Sequence, residues 1–221
     1  MFVLALDTSS PAVTAGIVAV DDSVELVACR APLNSRGHGE LLAPAIHDTL
    51  AEAGIAPAQL AAVVAGVGPG PFTGLRVGLV TAAMFAELLR IPAYAVCSLD
   101  AVAAAAGSDG ELIVATDARR KEVYWARYAP GGARLTGPHV TKPADVDFAG
   151  VSAVTGAAVE LYGELWPQAP ARLPARYPEP VGLVGCALER IRAGAASDPL
   201  TPLYLRRPDA ALPHAPKAVS Q

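Results

Sequence analysis

The sequence predicts an α/β fold of two lobes related by duplication, with the second lobe reduced. Three observations carry this. Over the first hundred residues, apolar runs and helix-like stretches follow one another in the order β-β-β-α-β-α-β-α, which implies a mixed sheet with helices on its faces. The plan then restarts. LIVATDARRKEVYWARY (112–128) repeats FVLALDTSSPAVTAGIVAV (2–20): an apolar strand, an aspartate, a turn and an alternating strand. Asp7 and Asp117 are thereby separated by half of the 221-residue chain. Finally, the composition is 52% hydrophobic and 17% charged, enough to bury a large core.

Each element has its own signal. Residues 2–6 form a continuous apolar run, as in a strand buried on both faces. Asp7 to Pro11 make a turn, Val13–Val20 a second strand, and Val24–Cys29 a third. Ser35 is placed to cap a helix from Gly37 to Ala53, with Leu42, Ile46 and Leu50 on one face and Gly54 as its stop. Pro44 fits this helix if it lies near the first turn. Ala61–Gly66 reads as a strand, Thr73–Leu89 as a long helix, Ala93–Val96 as a strand and Leu99–Ala106 as a short helix. Beyond residue 138 the elements shorten. Leu161–Pro180 is mostly loop, Val181–Arg192 a helix and Leu203–Leu205 a short strand. The expected organisation is an N-terminal lobe at 1–106, a C-terminal lobe at 107–207 and a disordered tail at 208–221.

Charge and cysteine usage narrow the function. A net charge of −4 and a pI near 5.5 argue against a protein that grips nucleic acid by itself, since Arg119, Arg120 and Lys121 are the densest basic cluster. Any contact with RNA is therefore expected to be indirect. Three scattered cysteines, Cys29, Cys97 and Cys186, form no CxxC pair and fit a reducing cytoplasm. The N-terminus reads as a strand, not a signal peptide. The most apolar later stretch, broken by Glu87, Arg90, Pro92 and Asp100, is not expected to span a membrane.

VVAGVGPGPFTGLRVG (63–78) poses the sharpest question. Glycine inside a helix costs about 1 kcal/mol relative to alanine, yet Gly74 and Gly78 lie four residues apart in one. A phosphate cradled at the helix start is one reason; a closely packed neighbouring helix is another. The loop lacks the lysine of GxxxxGK[ST], and Pro69 and Pro71 remove two N–H donors, so the helix neighbour is the better reading. Gly74, Gly78, Thr81, Ala82 and Phe85 share one face, and Leu75, Leu79, Ala83 and Ala86 another. The neighbour is either helix 37–53 of the same lobe or a helix of another molecule.

DTSS at the first strand end, HGELLAPAI (38–46), GPGPFTGLRVG (68–78), DARRKEVY (117–124) and PLYLRR (202–207) together resemble the TsaB (YeaZ) family, over residues 2 to about 207. GPGPFTGLRVG is the most specific of these; the family usually has Ser at the position of Pro71. The resemblance implies an actin-like ATPase (ribonuclease H-like) fold. It also implies a non-catalytic, glycoprotease-like subunit that binds and activates a larger paralogue, TsaD. That enzyme makes threonylcarbamoyladenosine beside the tRNA anticodon, with TsaE as a further ATPase. Pairing with TsaD, or with a second copy in isolation, is implied to use the first-lobe helices. On that basis His38, Leu42, Ile46, Phe72, Gly74, Gly78, Ala82 and Phe85 are the expected partner face, with Arg76 either an interface contact or a surface charge. Gly78→Leu is then expected to weaken association and spare the fold.

The residues offer little chemistry of their own. By the resemblance, Ser98 and Val102 stand where the catalytic paralogue has two metal-binding histidines, and neither replaces an imidazole. His38 and His47 are nine apart on one helix, the wrong spacing for a shared site. No metal is expected. Asp7 and Thr8 form at most a vestigial phosphate turn, with VTGAAVELYG (154–163) as a weak adenosine loop, so ATP is expected only in the assembled complex. Asp7 also fits a simple turn cap. Neither HExxH nor GxSxG occurs. The competing function is an actin-like small-molecule kinase or a glycoprotease-type peptidase, with Asp7 and Asp117 as its carboxylates.

Overall fold

The computed structural model describes residues 1–34, 37–167 and 171–206. Its first sheet is built around β1 (Phe2–Asp7), whose apolar run is buried on both faces because strands flank it and helices cover it. The hairpins β1–β2 (Thr14–Val20) and β2–β3 (Val24–Arg30) are antiparallel; β4 (Leu60–Gly66) and β5 (Ala93–Val96) then add in parallel, giving the order β3-β2-β1-β4-β5. The second sheet has strands β6 (Leu112–Asp117), β7 (Val123–Tyr128), β8 (Arg134–Thr141), β9 (Ala153–Thr155) and β10 (Ala171–Arg172). Read from its antiparallel edge, its order is β8-β7-β6-β9-β10, the same topology with the same strand directions. This is the duplicated, actin-like plan.

The helices show the reduction. α1 (His38–Ala53) and α2 (Phe72–Leu89) cover one face of the first sheet through Leu42, Ile46, Leu50, Leu79 and Ala82. In the second lobe α4 (Ala158–Tyr162) is a single short helix, and a 3-10 turn at Pro143–Asp145 stands where α1 would be. The terminal helices cross over. α3 (Ser98–Ala106) sends Leu99, Val102 and Ala103 into the second sheet's core beside Leu112, Val114 and Tyr128. α5 (Pro180–Arg192) packs Leu183, Val184, Ala187 and Ile191 on the first sheet's other face, against Val3, Ala5, Val18 and Val64. The division expected at residue 107 is therefore crossed, because α5's apolar stripe fits the face that α1 and α2 leave bare.

Other expectations change in detail. The cap position of α1 is Gly37, with no side-chain cap; Ser35 lies outside the described residues. Pro44 sits in the second turn, not the first, on the solvent side, where water can reach the carbonyl it leaves without a donor. Leu203–Leu205 forms no strand. It runs over the first lobe, with Leu203 N–H donating to the Val67 carbonyl at 2.8 Å. The tail expected at 208–221 lies outside the described residues. Finally, α2 is 18 residues long with a mean hydropathy of 1.5, sufficient by length and composition to cross a membrane, despite Arg76 and Glu87. Here it lies on the sheet with Gly74, Leu75, Gly78, Leu79 and Ala82 buried.

Candidate functional site

The turn after β1 is closed by the chain's own groups. Asp7 Oδ1 accepts from the Ser9 amide at 2.8 Å and the Ser9 hydroxyl at 2.7 Å. Its Oδ2 accepts from the Ser98 hydroxyl at 2.5 Å, which in turn accepts from Gly68 N–H at 3.1 Å. Complete burial pushes the Asp7 pKa up, partly offset by the Ser98 and Ser9 hydrogen bonds and the nearby His38. A Cβ on Gly66 would overlap the Asp7 carboxylate, so glycine ends β4 there.

Thr8 resolves the glycine pair of α2. Its hydroxyl donates to the Gly74 carbonyl at 2.7 Å and accepts from Gly78 N–H at 3.0 Å, the two groups that an α-helix pairs at i, i−4. A Cβ at Gly78 would run into that hydroxyl, and one at Gly74 would lie 2.8 Å from the Thr8 carbonyl and 3.5 Å from His38 Nε2. The glycines admit a strand turn, with α1's His38 at its edge, and not a partner helix. The close helix approach belongs elsewhere: α5's Gly182 lies against the Ala101 carbonyl of α3. Asp7 and Thr8, expected as a vestigial phosphate turn, are both 1% exposed with their polar atoms engaged inside the chain.

The expected partner face divides. His38, Leu42, Ile46, Gly74, Gly78 and Ala82 are buried in the lobe, and Phe85 packs against its core. His38 Nε2 donates to the Ser10 carbonyl at 2.8 Å, which fixes its proton on that nitrogen. The two proposed faces of α2 merge into one buried arc, and Ala83 lies outside it. Of the named residues, Phe72 and Arg76 remain exposed, and they hold the chain's last described segment. The Arg76 guanidinium lies 3.8 Å from the Phe72 ring centroid, its Nε donates to the Tyr204 hydroxyl at 3.1 Å, and Phe72 stacks on Tyr204 at 4.8 Å. What α2 shows to solvent is Val80 (68% exposed), Met84 (49%) and Leu88 (73%) at i, i+4 and i+8. The stripe begins two residues beyond the glycine motif, and its apolar i, i+4, i+8 spacing is the signal in the sequence that marks it.

Between the lobes lies a cavity of about 290 Å³ bordered by Ser9, Ser10, His38, Asp117, Arg119 and Tyr177. Its carboxylates are those of Asp117 and of Glu160, which pairs with Arg176. Asp117 Oδ1 accepts from Arg119 N–H at 2.9 Å and from the Tyr162 hydroxyl at 3.3 Å. The accessible aspartate is thus the second lobe's. Among the described residues no cluster of three His, Cys, Asp or Glu side chains could hold a metal, and the one hydroxyl–imidazole pair is Thr136–His139, 2.8 Å apart and exposed on edge strand β8. Burial raises the Cys97 thiol to about 12 and pushes the half-buried Cys29 thiol up, which leaves little thiolate on either at neutral pH; Cys186 lies exposed.

Similarity to known proteins agrees with this architecture. The family model described as TsaD, tRNA N6-adenosine threonylcarbamoyltransferase, matches residues 32–170. An uncharacterized protein of Mycobacterium tuberculosis is 48% identical over 208 residues, 94% of this chain and 93% of its own. The tRNA threonylcarbamoyladenosine biosynthesis protein TsaB of Bacillus subtilis is 36% identical over 129 residues, covering 58% of this chain and 55% of that protein. YeaZ from Pseudomonas aeruginosa superposes with a TM-score of 0.76 at 30% identity, over 92% of this chain and 99% of that one. With that coverage, and with the duplicated sheets and the first-strand turn in place, the chain belongs to the TsaB (YeaZ) family.

Proposed function

We propose that this chain is the non-catalytic subunit that binds and activates a TsaD-type transferase, which places a threonylcarbamoyl group on the adenosine beside the tRNA anticodon. The observation that carries this reading is the solvent-exposed apolar stripe Val80–Met84–Leu88. Three large apolar side chains on one exposed helix face favour burial against a partner, each contributing about 1.5–3 kcal/mol when covered. An open groove of about 640 Å³ runs beside it, bordered by Ala83, Glu87, Ile91, Pro92 and Leu200, and extends the surface a partner would cover. In isolation the same face would pair with a second copy. The closed Asp7 turn supports the non-catalytic part, since the carboxylate that an actin-like kinase presents to its nucleotide is spent on Ser9 and Ser98. In this reading ATP acts in the assembled complex with a TsaE-type ATPase, and the assembly works in the cytoplasm.

The test is Met84→Asp combined with Leu88→Asp. Both side chains are exposed, so the melting temperature should hold while binding to the TsaD-type paralogue weakens at least about tenfold. Threonylcarbamoyl transfer by the reconstituted complex should fall in step. Unchanged binding and transfer would sink the reading. Kinase or peptidase turnover by the purified chain alone would favour the competing one.

A further inference from the structure

The turn after β6 carries an unusual backbone. Arg119, Arg120 and Lys121 have φ of +61°, +54° and +60°, three successive side chains in the left-handed region. Each costs about 1–2 kcal/mol in a non-glycine residue. The loop is held from both sides. Ala118 N–H donates to the Glu122 carbonyl at 2.9 Å, Glu122 N–H to the Arg119 carbonyl at 3.0 Å, and Arg206 Nη1 to the Ala118 carbonyl at 2.8 Å, while Arg206 also pairs with Glu122. All three basic side chains are exposed.

Two more cations come from remote parts of the sequence. Arg206 borders a cavity of about 200 Å³ together with Arg119, Arg120, Phe72 and Tyr204, and Arg76 reaches its rim through Tyr204. Among the described residues, five cations therefore share this face with two carboxylates, Asp117 and Glu122, on a chain whose net charge is −4. Burial first, and then the neighbouring Arg120 charge, pull the Arg206 pKa below its ordinary value, with Asp117 opposing them. Phe72 and Tyr204, both more than a third exposed, put aromatic surface among the charges. Cations spread over a face, interleaved with rings, suit a phosphate-bearing strand better than a single carboxylate.

We propose that this face, Arg119–Lys121 with Arg76 and Arg206 around Phe72 and Tyr204, binds the phosphate backbone of an RNA strand. The identity of that RNA as tRNA rests on the function proposed above. The contact is direct, contrary to what the charge pattern along the sequence suggests, because Arg76 and Arg206 join the cluster only in the fold.

The test is fluorescence anisotropy with a labelled full-length tRNA transcript, at about 50 to 300 mM salt. The chain is assayed alone and bound to its TsaD-type paralogue. Arg120→Glu combined with Lys121→Glu should raise Kd at least about tenfold and lower the log–log salt slope by about 1–2. Melting temperature and paralogue affinity should not move. Equal affinity and slope for wild type and variant would overturn the proposal, as would absence of wild-type binding at the lowest salt. Displacement of the RNA by low-millimolar ATP from the chain alone would also overturn it, since the site would then be one for a mononucleotide. If the chain fails to bind the paralogue yet shows the charge-dependent RNA affinity, the functional reading falls and this one stands.

Discussion

At the end of β1 the Ser9 amide donates to Asp7 at 2.8 Å, and at the end of β6 the Arg119 amide donates to Asp117 at 2.9 Å. Both turns are the same aspartate turn at the same place in a duplicated sheet. Around the first, Thr8 enters α2 between two glycines and Ser98 covers the carboxylate. Around the second, Ala118 has no hydroxyl to spend, α4 is five residues long, and the next three residues are basic and exposed. The same turn has thus become core in one lobe and surface in the other. The two share the aspartate-to-amide bond; what separates them is which neighbours can approach and the left-handed backbone that only the second turn adopts, at Arg119, Arg120 and Lys121.

The largest expected effect would break the closed turn. Gly66→Ala presses a methyl group into the Asp7 carboxylate, and Gly78→Leu presses a side chain into Thr8; each should cost about 3 kcal/mol, or roughly 6–12 °C in melting temperature. For Gly78→Leu the loss of stability should precede any loss of self-association, the reverse of what the glycine pair alone suggests. Calorimetry beside sedimentation decides, and a stable monomer would restore the partner-helix view.

A smaller effect sharpens the comparison. Thr8→Val keeps the shape but removes the hydroxyl from Gly74 and Gly78, at a cost of about 1–2 kcal/mol in urea unfolding. Arg206→Gln, which unstraps the second turn, should cost about 1 kcal/mol or less because the Arg206–Glu122 pair is partly exposed. Its clearer sign should be faster proteolysis at Arg119–Lys121. Costs in the opposite order would mean that the second turn, not the first, is the tightly held one.

The smallest effect is on pH dependence. The folded Asp7 pKa lies above its ordinary value of 3.8, so the folded state holds the proton more tightly than the unfolded one. This group's contribution to stability is then greatest at low pH and declines as pH rises from about 4 through the folded value. Subtracting the urea-unfolding profile of Asp7→Asn from that of the wild type isolates the term. A difference that grows with pH would show that the carboxylate is stabilised, not strained, by its burial.

Much of the fold was legible because local pattern sets local structure. β1, β4, β5 and α2 fall within a residue or two of their periodic runs. The destination of α5 was not legible: an apolar stripe says that a helix is buried, not on which sheet. Gly74 and Gly78 signalled a close approach, but spacing along one helix cannot name what approaches. The Arg76–Tyr204 and Arg206–Glu122 contacts join residues far apart in sequence, so the cluster they complete read as an isolated RRK. Leu203–Leu205 looked like a strand by composition, yet it finds a single main-chain donor–acceptor contact with Val67 and no ladder.

The exchange of α3 and α5 has a consequence for biosynthesis. When the first five strands have left the ribosome, Val3, Ala5, Val18 and Val64 still lack the helix that covers them, because residues 180–192 are not yet made. At about 5–20 residues per second that interval lasts roughly 5–20 s, during which a nascent half-molecule exposes an apolar sheet face. A gene cut between the repeats should therefore yield insoluble N-terminal product, and solubility should return when the missing half is co-expressed in trans.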